Sequence, residues 1–243
     1  MSSGGLVVTG WCLGNLFTIA SIAYLNTYPS EVIQTLEPYL KSLIIYAPSF
    51  LFLGYPSPPG TYNPFNVSEN PKQIAPISFR AWATSYYKHP AYSSLQRSDY
   101  LTPEYLIQHI PEQSYRPSTI ESIPADGLAA LIDTVPNERS EGFFFGISSS
   151  LVHEMLEKAL LGADKSVLPQ LNIYHVYGQE DVWHVPWAAC EFEKDLEKWR
   201  TNGEHVRPIK VISVPGANHM IHWDDAETFL ELITKGEIPQ NIL

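Results

Sequence analysis

The sequence predicts an α/β fold in which a mostly parallel sheet is flanked by helices and carries a helical insertion. The continuous apolar run LIIYA at 43–47 is typical of a strand that is covered on both faces of a parallel sheet, and LNIYHVYG at 171–178 is predicted to be a further strand. Strand-like and helix-like stretches alternate at both ends of the chain, which is the order expected of α/β proteins. A long proline-rich stretch separates these two regular parts.

The first regular part is predicted to follow the order strand, helix, helix, strand. The segment Leu6–Thr9 is expected to be a short buried strand, and Leu16–Leu25 is expected to be a helix. A second helix is predicted over Ser30–Leu40, with Ser30 as its N-cap and Pro38 disturbing its last turn. The LIIYA run then forms the second strand.

The middle of the chain has a different composition. Twelve of the 20 prolines lie between residues 54 and 137, together with many aromatic residues. Short helices are expected at SFRAWATSYYKH and PEYLIQHI, followed by a longer helix over Ser148–Leu161. The stretch is too aromatic for a disordered segment, so an irregular helical insertion is predicted. The predicted division is a core part at 1–53, a cap or lid insertion at 54–165, and a second core part at 166–243.

The second regular part is predicted to follow the order strand, helix, strand, helix. LNIYHVYG is the first of these strands, and VPWAACEFEKDLEKWRTNG is an amphipathic helix closed by Asn202 and Gly203. PIKVISVPG is the next strand. DDAETFLELITKG is the last helix, closed by Gly236.

Composition and charge argue against several classes of function. The net charge of −11 and the lack of a basic cluster disfavour nucleic acid, whose phosphates would be repelled. No run approaches the roughly 18 apolar residues of a membrane span, and the start MSSGGLVV lacks the basic region of a signal peptide. Cys12 and Cys190 make no disulfide framework, which favours a reducing compartment. A cytoplasmic location is therefore expected, since the last residues are not a peroxisomal signal.

The segment Gly10-Trp11-Cys12-Leu13-Gly14 joins a predicted strand to a predicted helix. Glycines on both sides of a sharp turn let the chain reverse without a Cβ clash. The start of the following helix supplies backbone N–H groups and a positive dipole end, which favour a thiolate and developing negative charge. Cys12 is therefore a candidate nucleophile. The alternative is a small buried cysteine at a tight turn, because free cysteines are often buried.

Two further motifs come directly after predicted strands. YGQED ends in Asp181, a candidate acid that would orient a histidine, and Glu180 competes for this role. A turn or helix-capping role is the alternative for either acid. PGANH ends in His219, which can reach residue 12 across the strand ends, and His222 is its competitor. His184 is a further histidine of interest because it follows the acid loop.

The order of these motifs is more informative than any one of them. Nucleophile, acid and histidine, each after a strand, is the chain order of α/β-hydrolases. GWCLGN resembles the Gly-Trp-Ser-x-Gly-Asn nucleophile turn of that family, YGQEDVWHVP resembles its acid loop, and VPGANHMIHWDDAETF resembles its histidine loop and last helix. The long insertion lies where the capped members carry their cap. The chain thus resembles a capped α/β-hydrolase, and its composition resembles fungal members from secondary-metabolite pathways.

The resemblance implies a catalytic triad of Cys12, Asp181 and His219, with the amide of Leu13 as one donor to the oxyanion. Cysteine stands in place of the usual serine, as in members similar to dienelactone hydrolase, and a thiolate is a strong nucleophile. The family's strands ahead of the nucleophile turn have no counterpart in the sequence, and neither has the second oxyanion donor. The edge of the strand at Leu6–Thr9 is therefore expected to be open, apolar and prone to aggregation.

The resemblance also implies hydrolysis of an ester, thioester or lactone. The aromatic insertion favours an apolar small-molecule substrate. No metal or cofactor is implied, since paired His or Cys spacings are absent. Two alternatives stay open: an acyltransferase that passes the acyl group to an acceptor other than water, and a truncated or degenerate copy without activity. The candidate pocket residues, for which ordinary packing is the alternative, are Trp11, Trp82, Tyr86, Tyr87 and Trp183.

Overall fold

The structure is a computed structural model, and most of the proline-rich stretch lies outside the residues that it describes. The predicted helix at PEYLIQHI and the closing residue Gly236 also lie outside them. The described residues are 5–58, 79–89, 114–131, 142–161 and 167–235.

Four parallel strands form one sheet and lie side by side in the order of the chain. They are β1 (Leu6–Trp11), β2 (Leu40–Tyr46), β3 (Asn172–Gly178) and β4 (Ile209–Val214). The predicted α/β class, with a parallel sheet flanked by helices, is confirmed. Because all four strands run in the same direction, their carboxyl ends meet at one edge, where loops can bring distant side chains together.

Helices connect the strands and flank the sheet. A short 3₁₀ helix at Leu25–Thr27 follows the first of them. The α-helices are α1 (Gly14–Ala23), α2 (Ser30–Leu36), α3 (Phe50–Leu53), α4 (Phe79–Thr84), α5 (Thr119–Ser122), α6 (Ala125–Leu131), α7 (Gly142–Phe144), α8 (Ser149–Leu161), α9 (His184–Thr201), α10 (Ile221–Asp224) and α11 (Ala226–Lys235).

Helix α2 differs from its prediction at both ends. Pro29 occupies the N-cap and Ser30 is already helical, so the predicted capping role of Ser30 is wrong. The helix ends at Leu36, because Pro38 has no N–H and its ring clashes with the preceding turn. The chain can therefore enter β2 at Leu40, which the sequence prediction had placed at the end of the helix.

Strands β1 and β2 differ strongly in burial. Leu43 and Ile44 of β2 are each 1% exposed, whereas Leu6 and Val7 of β1 are 51% and 41% exposed. Strand β1 pairs with β2 along one edge, and no other described strand pairs with its second edge. The prediction of a buried first strand is therefore wrong, and among the described residues the second edge of β1 is unpaired and apolar, as expected.

Helices on the faces of the sheet complete the core. Helix α8 packs on α1 and α3, and α9 packs on β3 and α3. Leu156 and Leu160 of α8 are fully buried and belong to the main core. The division of the chain at residues 53 and 165 stays a prediction. Across the described parts of the chain, every helix is too short or too polar to span a bilayer.

Candidate active site

Cys12 occupies the sharp turn between β1 and α1. Its backbone φ is 50°, in the left-handed region that residues other than glycine rarely adopt. A conformation of this kind costs on the order of 1–3 kcal/mol and persists only where the surroundings fix it. The turn places Cys12 at the carboxyl end of β1, where it lines the large cavity described below.

The two glycines beside Cys12 are not equivalent. A Cβ on Gly10 would lie 2.9 Å from the Cα of Asn15 and would overlap the side chain of Thr18. Helix α1 therefore packs this closely on β1 only because position 10 has no side chain. A Cβ on Gly14 would meet no atom within 4 Å. The expectation that both glycines relieve a clash is correct for Gly10 and wrong for Gly14.

Asn15 fastens the turn to the end of β2. Its side chain is buried, and its Nδ2 donates to the carbonyl oxygens of Cys12 at 2.8 Å and Tyr46 at 2.9 Å. The N–H of Cys12 also donates to the Tyr46 carbonyl oxygen, at 3.1 Å. These bonds hold the strained backbone of residue 12 in place.

Asp181 and His219 meet from the loops after β3 and β4. The Nδ1 of His219 lies 3.1 Å from both carboxyl oxygens of Asp181, and both side chains are buried. A carboxylate can only accept, so Nδ1 carries the hydrogen and Nε2 is left to face a second partner. The side chain of Cys12 lies close enough to His219 to affect its charge, and both residues line the same cavity. The structure thus brings the three predicted triad residues together.

The charges around His219 favour its protonated form. Burial lowers the pKa of His219. The negative charges of Asp181 and Cys12 raise it by more than burial lowers it, so the pKa lies well above its ordinary value. Burial raises the pKa of Asp181, and the positive charge of His219 offsets part of this effect. A histidine cation beside the thiol is the arrangement that keeps a cysteine nucleophile ionised.

The competing acid and the competing histidine make other contacts. Glu180 accepts a hydrogen bond from the hydroxyl of Tyr115, at 2.5 Å. His222 lies with its Nδ1 3.3 Å from the hydroxyl of Tyr46, which donates to the carbonyl oxygen of His219 at 3.1 Å. Since that hydroxyl has one hydrogen, Nδ1 of His222 is the donor in the other contact. Burial and the charge of His219 lower the pKa of His222.

Gly178 allows the acid loop and the histidine loop to touch. A Cβ at this position would lie 2.6 Å from the carbonyl carbon of Ala217 and 2.8 Å from the carbonyl oxygen of Asn218. Asp181 lies three residues after Gly178. The N–H of Val182 in the same loop donates to Oδ1 of Asp181 at 2.7 Å and fixes the carboxylate. The glycine therefore sets the distance at which Asp181 meets the histidine loop.

Residues from the middle of the chain that carry no recognisable sequence signal hold these loops in place. Asn218 is fully buried, and its Nδ2 donates to the carbonyl oxygen of Thr84 at 2.7 Å and to Oγ1 of Thr119 at 3.0 Å. His89 donates from Nε2 to the carbonyl oxygen of Asp181, at 2.6 Å. These partners are 92 to 134 residues apart in sequence, so no local pattern announces them.

A cavity of about 900 Å³ opens beside Cys12 and His219. Cys12 and His219 both line it, and the remainder of the wall is mostly apolar. Helix α4 and the described residues near 120 and 128 form one side of the cavity. The volume is within the range of small-molecule sites. Trp11 and Trp82, two of the predicted pocket residues, lie on the wall.

Three other aromatic residues lie away from this wall, which corrects their expected role in the pocket. The hydroxyl of Tyr86 donates to the carboxylate of Asp224. Tyr87 is buried and donates to the carbonyl oxygen of Trp82, at 3.1 Å. Trp183 is fully buried in the core. An aromatic side chain packs equally well on a cavity wall or behind it, and composition does not distinguish the two.

Leu13 is the residue before α1 and lines the cavity next to Cys12. Its backbone amide is therefore close to the position at which a substrate carbonyl would meet the thiol. Within the described ranges, no three His, Cys, Asp or Glu side chains converge in a way that could hold a metal ion.

No protein-family model and no curated protein sequence matches this chain. Among solved structures, it is similar to the peroxisomal alpha-beta-hydrolase Lpx1 of Saccharomyces cerevisiae, with 13% identity and a TM-score of 0.44. That alignment covers 97% of this chain and 54% of the yeast protein, so the chain spans about half of that protein's length.

Two further solved structures are similar at low identity. A thioesterase domain from the curacin biosynthetic pathway has 17% identity and a TM-score of 0.36, with 96% of this chain and 67% of that domain covered. A marine microorganism esterase has 16% identity and a TM-score of 0.32, with 98% and 70% covered. At this level of similarity the function has to be argued from the chain's own site.

Proposed function

We propose that this chain is a capped α/β-hydrolase that cleaves an ester, thioester or lactone of an apolar small molecule. In this proposal Cys12 is the nucleophile, His219 the general base and acid, and Asp181 the residue that orients His219. One observation carries the proposal: His219 is hydrogen-bonded to Asp181 and lies beside the Cys12 thiol at the carboxyl ends of parallel strands, where Cys12 and His219 line one apolar cavity.

In the proposed resting state the thiol proton of Cys12 has already passed to Nε2 of His219, whose protonated form its surroundings favour. The sulfur then attacks the substrate carbonyl carbon, and the carbonyl oxygen becomes an oxyanion. Collapse of this intermediate breaks the bond to the leaving group, which takes the proton from His219 and departs as an alcohol or thiol. Asp181 stabilises the histidine cation throughout and keeps its Nε2 turned toward the sulfur.

The amide of Leu13 is the proposed donor to the oxyanion. It follows the nucleophile directly and lies at the start of α1, where amide groups have no partner within the helix. In comparable enzymes, removing one oxyanion donor costs roughly 3–4 kcal/mol of transition-state stabilisation.

Deacylation returns the enzyme to its starting state. His219 takes a proton from a water molecule, and the hydroxide attacks the thioester carbon on Cys12. The second oxyanion collapses, the carbon–sulfur bond breaks, and the acid product leaves. The proton that His219 took from water stays on it beside the regenerated thiolate, so that atoms and charge balance.

The apolar cavity supports the assignment of an apolar substrate. Trp82, Ile120 and Leu128, all from the predicted cap at 54–165, face the same space as Cys12. A cap that closes over the nucleophile would exclude water and select for the shape of the acyl group. The cytoplasmic location and the secondary-metabolite role stay predictions from the sequence.

Hydrolysis of 4-nitrophenyl octanoate, together with intact-protein mass spectrometry, tests this function. We expect nitrophenol release and an octanoyl adduct, both lost by at least about 10³-fold in Cys12→Ala. Cys190→Ala is the matched control, because Cys190 is buried in α9 away from the site, and it should retain activity.

Two other results would contradict the proposal in different ways. Octanoyl ester formation with an added alcohol, without octanoic acid, would assign acyl transfer to the site. If the chain releases no nitrophenol and forms no adduct, it is an inactive copy.

A further inference from the structure

A second polar pair lines the cavity, away from the triad. Ser49 follows β2 and His184 begins α9, and Oγ of Ser49 lies 3.3 Å from Nδ1 of His184. The two residues are 6% and 2% exposed, yet both belong to the wall that Cys12 also lines. None of the proposed hydrolysis steps uses this pair.

Aromatic rings hold the imidazole of His184 in one orientation. The ring centroids of Phe50, Trp82 and Trp183 lie 4.7, 4.9 and 4.2 Å from that of His184, each in an edge-to-face arrangement. A ring enclosed in this way loses little further freedom when a ligand binds, so its hydrogen bonds are pre-organised.

The hydrogen-bonding capacity of Ser49 indicates what this pair would recognise. If Ser49 donates to His184, and also accepts from the N–H of Leu51 at 3.4 Å, one lone pair on Oγ remains. If His184 is the donor instead, the hydroxyl hydrogen of Ser49 remains. In either tautomer Ser49 can make one more hydrogen bond, as an acceptor in the first and as a donor in the second.

We propose that the Ser49–His184 pair is a subsite for a hydroxyl group on the apolar part of the substrate. A ligand hydroxyl can donate or accept, so it matches both tautomers of the pair, whereas a ketone or ether oxygen matches only one. Burying polar groups in an apolar wall is costly, and a ligand hydroxyl compensates for it. The proposal rests on the hydrolysis proposed above and names its substrate class as hydroxyacyl esters.

Ligand binding to the Cys12→Ala variant tests the subsite without turnover. The probes are methyl octanoate and a series of methyl hydroxyoctanoates, with the hydroxyl at successive carbons, measured by titration calorimetry. We expect one isomer to bind about tenfold more tightly than methyl octanoate, the effect of one additional buried hydrogen bond. Adding Ser49→Ala should reduce that preference to less than about twofold.

Three further variants separate a lost contact from a lost fold. Ser49→Thr keeps the hydroxyl and should restore the preference. His184→Phe keeps the ring packing but removes the partner that orients the Ser49 hydroxyl, so it should weaken the preference. Ser21→Ala, in α1 away from the cavity, should not change it. Equal affinity for all isomers would overturn the subsite. A preference for one isomer that persists in both Ser49→Ala and His184→Phe would also overturn it.

Failure of the subsite and failure of the hydrolase assignment give different results. Turnover of 4-nitrophenyl octanoate without any preference among isomers contradicts the subsite alone. A hydroxyl preference that depends on Ser49, in a chain that forms no acyl adduct, supports the subsite and contradicts the hydrolase assignment.

Discussion

The turn after β1 and the loops after β3 and β4 reach the same site, but they are fixed in different ways. The turn at Cys12 is held by its own neighbourhood, through Asn15 and the end of β2. The loops that carry Asp181 and His219 are held from the middle of the chain, where His89 binds one loop. In the histidine loop, Asn218 donates to Thr84 and Thr119, which also belong to the middle of the chain.

This difference assigns two roles to the predicted cap. It forms one wall of the cavity, and it also holds the acid loop and the histidine loop by one hydrogen bond each, through His89 and Thr84. Changes in residues 79–89 should therefore alter the Asp181–His219 pair, while the Cys12 turn remains formed. The backbone of the Cys12 turn should respond most to changes between residues 10 and 46, and its one described side-chain hydrogen bond to the histidine loop runs from Trp11 Nε1 to the carbonyl oxygen of His219, at 3.1 Å.

The glycines beneath the two regions should show the largest effects. Gly178→Ala places a Cβ against the backbone of Ala217 and Asn218, which cannot rotate away, so a loss of about 3 kcal/mol or more in the free energy of unfolding is expected. Gly10→Ala meets the Thr18 side chain and the Asn15 Cα, and should cost less. Urea unfolding measures both. A larger loss for Gly10→Ala would reverse the comparison.

The pH dependence of stability should depend on His89. Burial lowers the pKa of His89 to about 4, and its bond to the carbonyl oxygen of Asp181 offsets part of this effect. Its ordinary pKa is about 6.5, so the unfolded chain binds the proton first as pH falls. The stabilisation from neutral His89 is therefore complete above about pH 6.5 and is lost toward pH 4, a change of about 3 kcal/mol.

His89→Gln tests this dependence because the glutamine amide can replace the Nε2 donor without titrating. Unfolding free energies at about pH 7 and pH 4 should show a smaller decrease for the variant than for the parent chain. Parallel curves for the two proteins would show that His89 does not titrate with unfolding.

Asn218→Ala should cost about 2 kcal/mol in the free energy of unfolding. It removes the donor to Thr84 and Thr119 and leaves buried polar groups without their bonds. Asn202→Ala at the exposed end of α9 is the matched control and should cost less than about 0.5 kcal/mol. Thermal unfolding measures both, and equal losses would remove the argument that Asn218 anchors the histidine loop.

Gly14→Ala should have the smallest effect. A Cβ at this position meets nothing within 4 Å, and alanine favours the first turn of a helix, so stability should change by less than about 0.5 kcal/mol. Urea unfolding beside Gly10→Ala gives the comparison within one turn. A similar loss for both variants would mean that the turn needs glycine on each side.

The same contrast explains which parts of the site are predictable from sequence. The turn at Cys12 depends mostly on residues within a few positions, so the segment GWCLGN includes the glycine and the asparagine that shape it. The strand order and the positions of Asp181 and His219 follow from apolar runs and from the loops that end them. The contacts of Asn218 and His89 depend on how the insertion folds onto the sheet, and neither composition nor spacing specifies that packing.

The sequence also does not indicate which aromatic side chains face the cavity and which pack behind its wall. Trp82 and Tyr87 lie five residues apart in the same aromatic stretch, yet Trp82 faces the cavity and Tyr87 packs behind it. The exposure of β1 depends on which strands pair with it, and the apolar sequence of Leu6–Thr9 does not contain that information.

The rate of iodoacetamide labelling at Cys12, followed by peptide mass spectrometry across pH, tests the central claim most directly. Cys190, buried in α9, is the internal reference. If His219 holds the Cys12 thiolate, labelling at about pH 6 should be fast in the parent chain and at least about tenfold slower in His219→Ala. An unchanged labelling rate in His219→Ala would contradict the claim that the two side chains form a reactive pair.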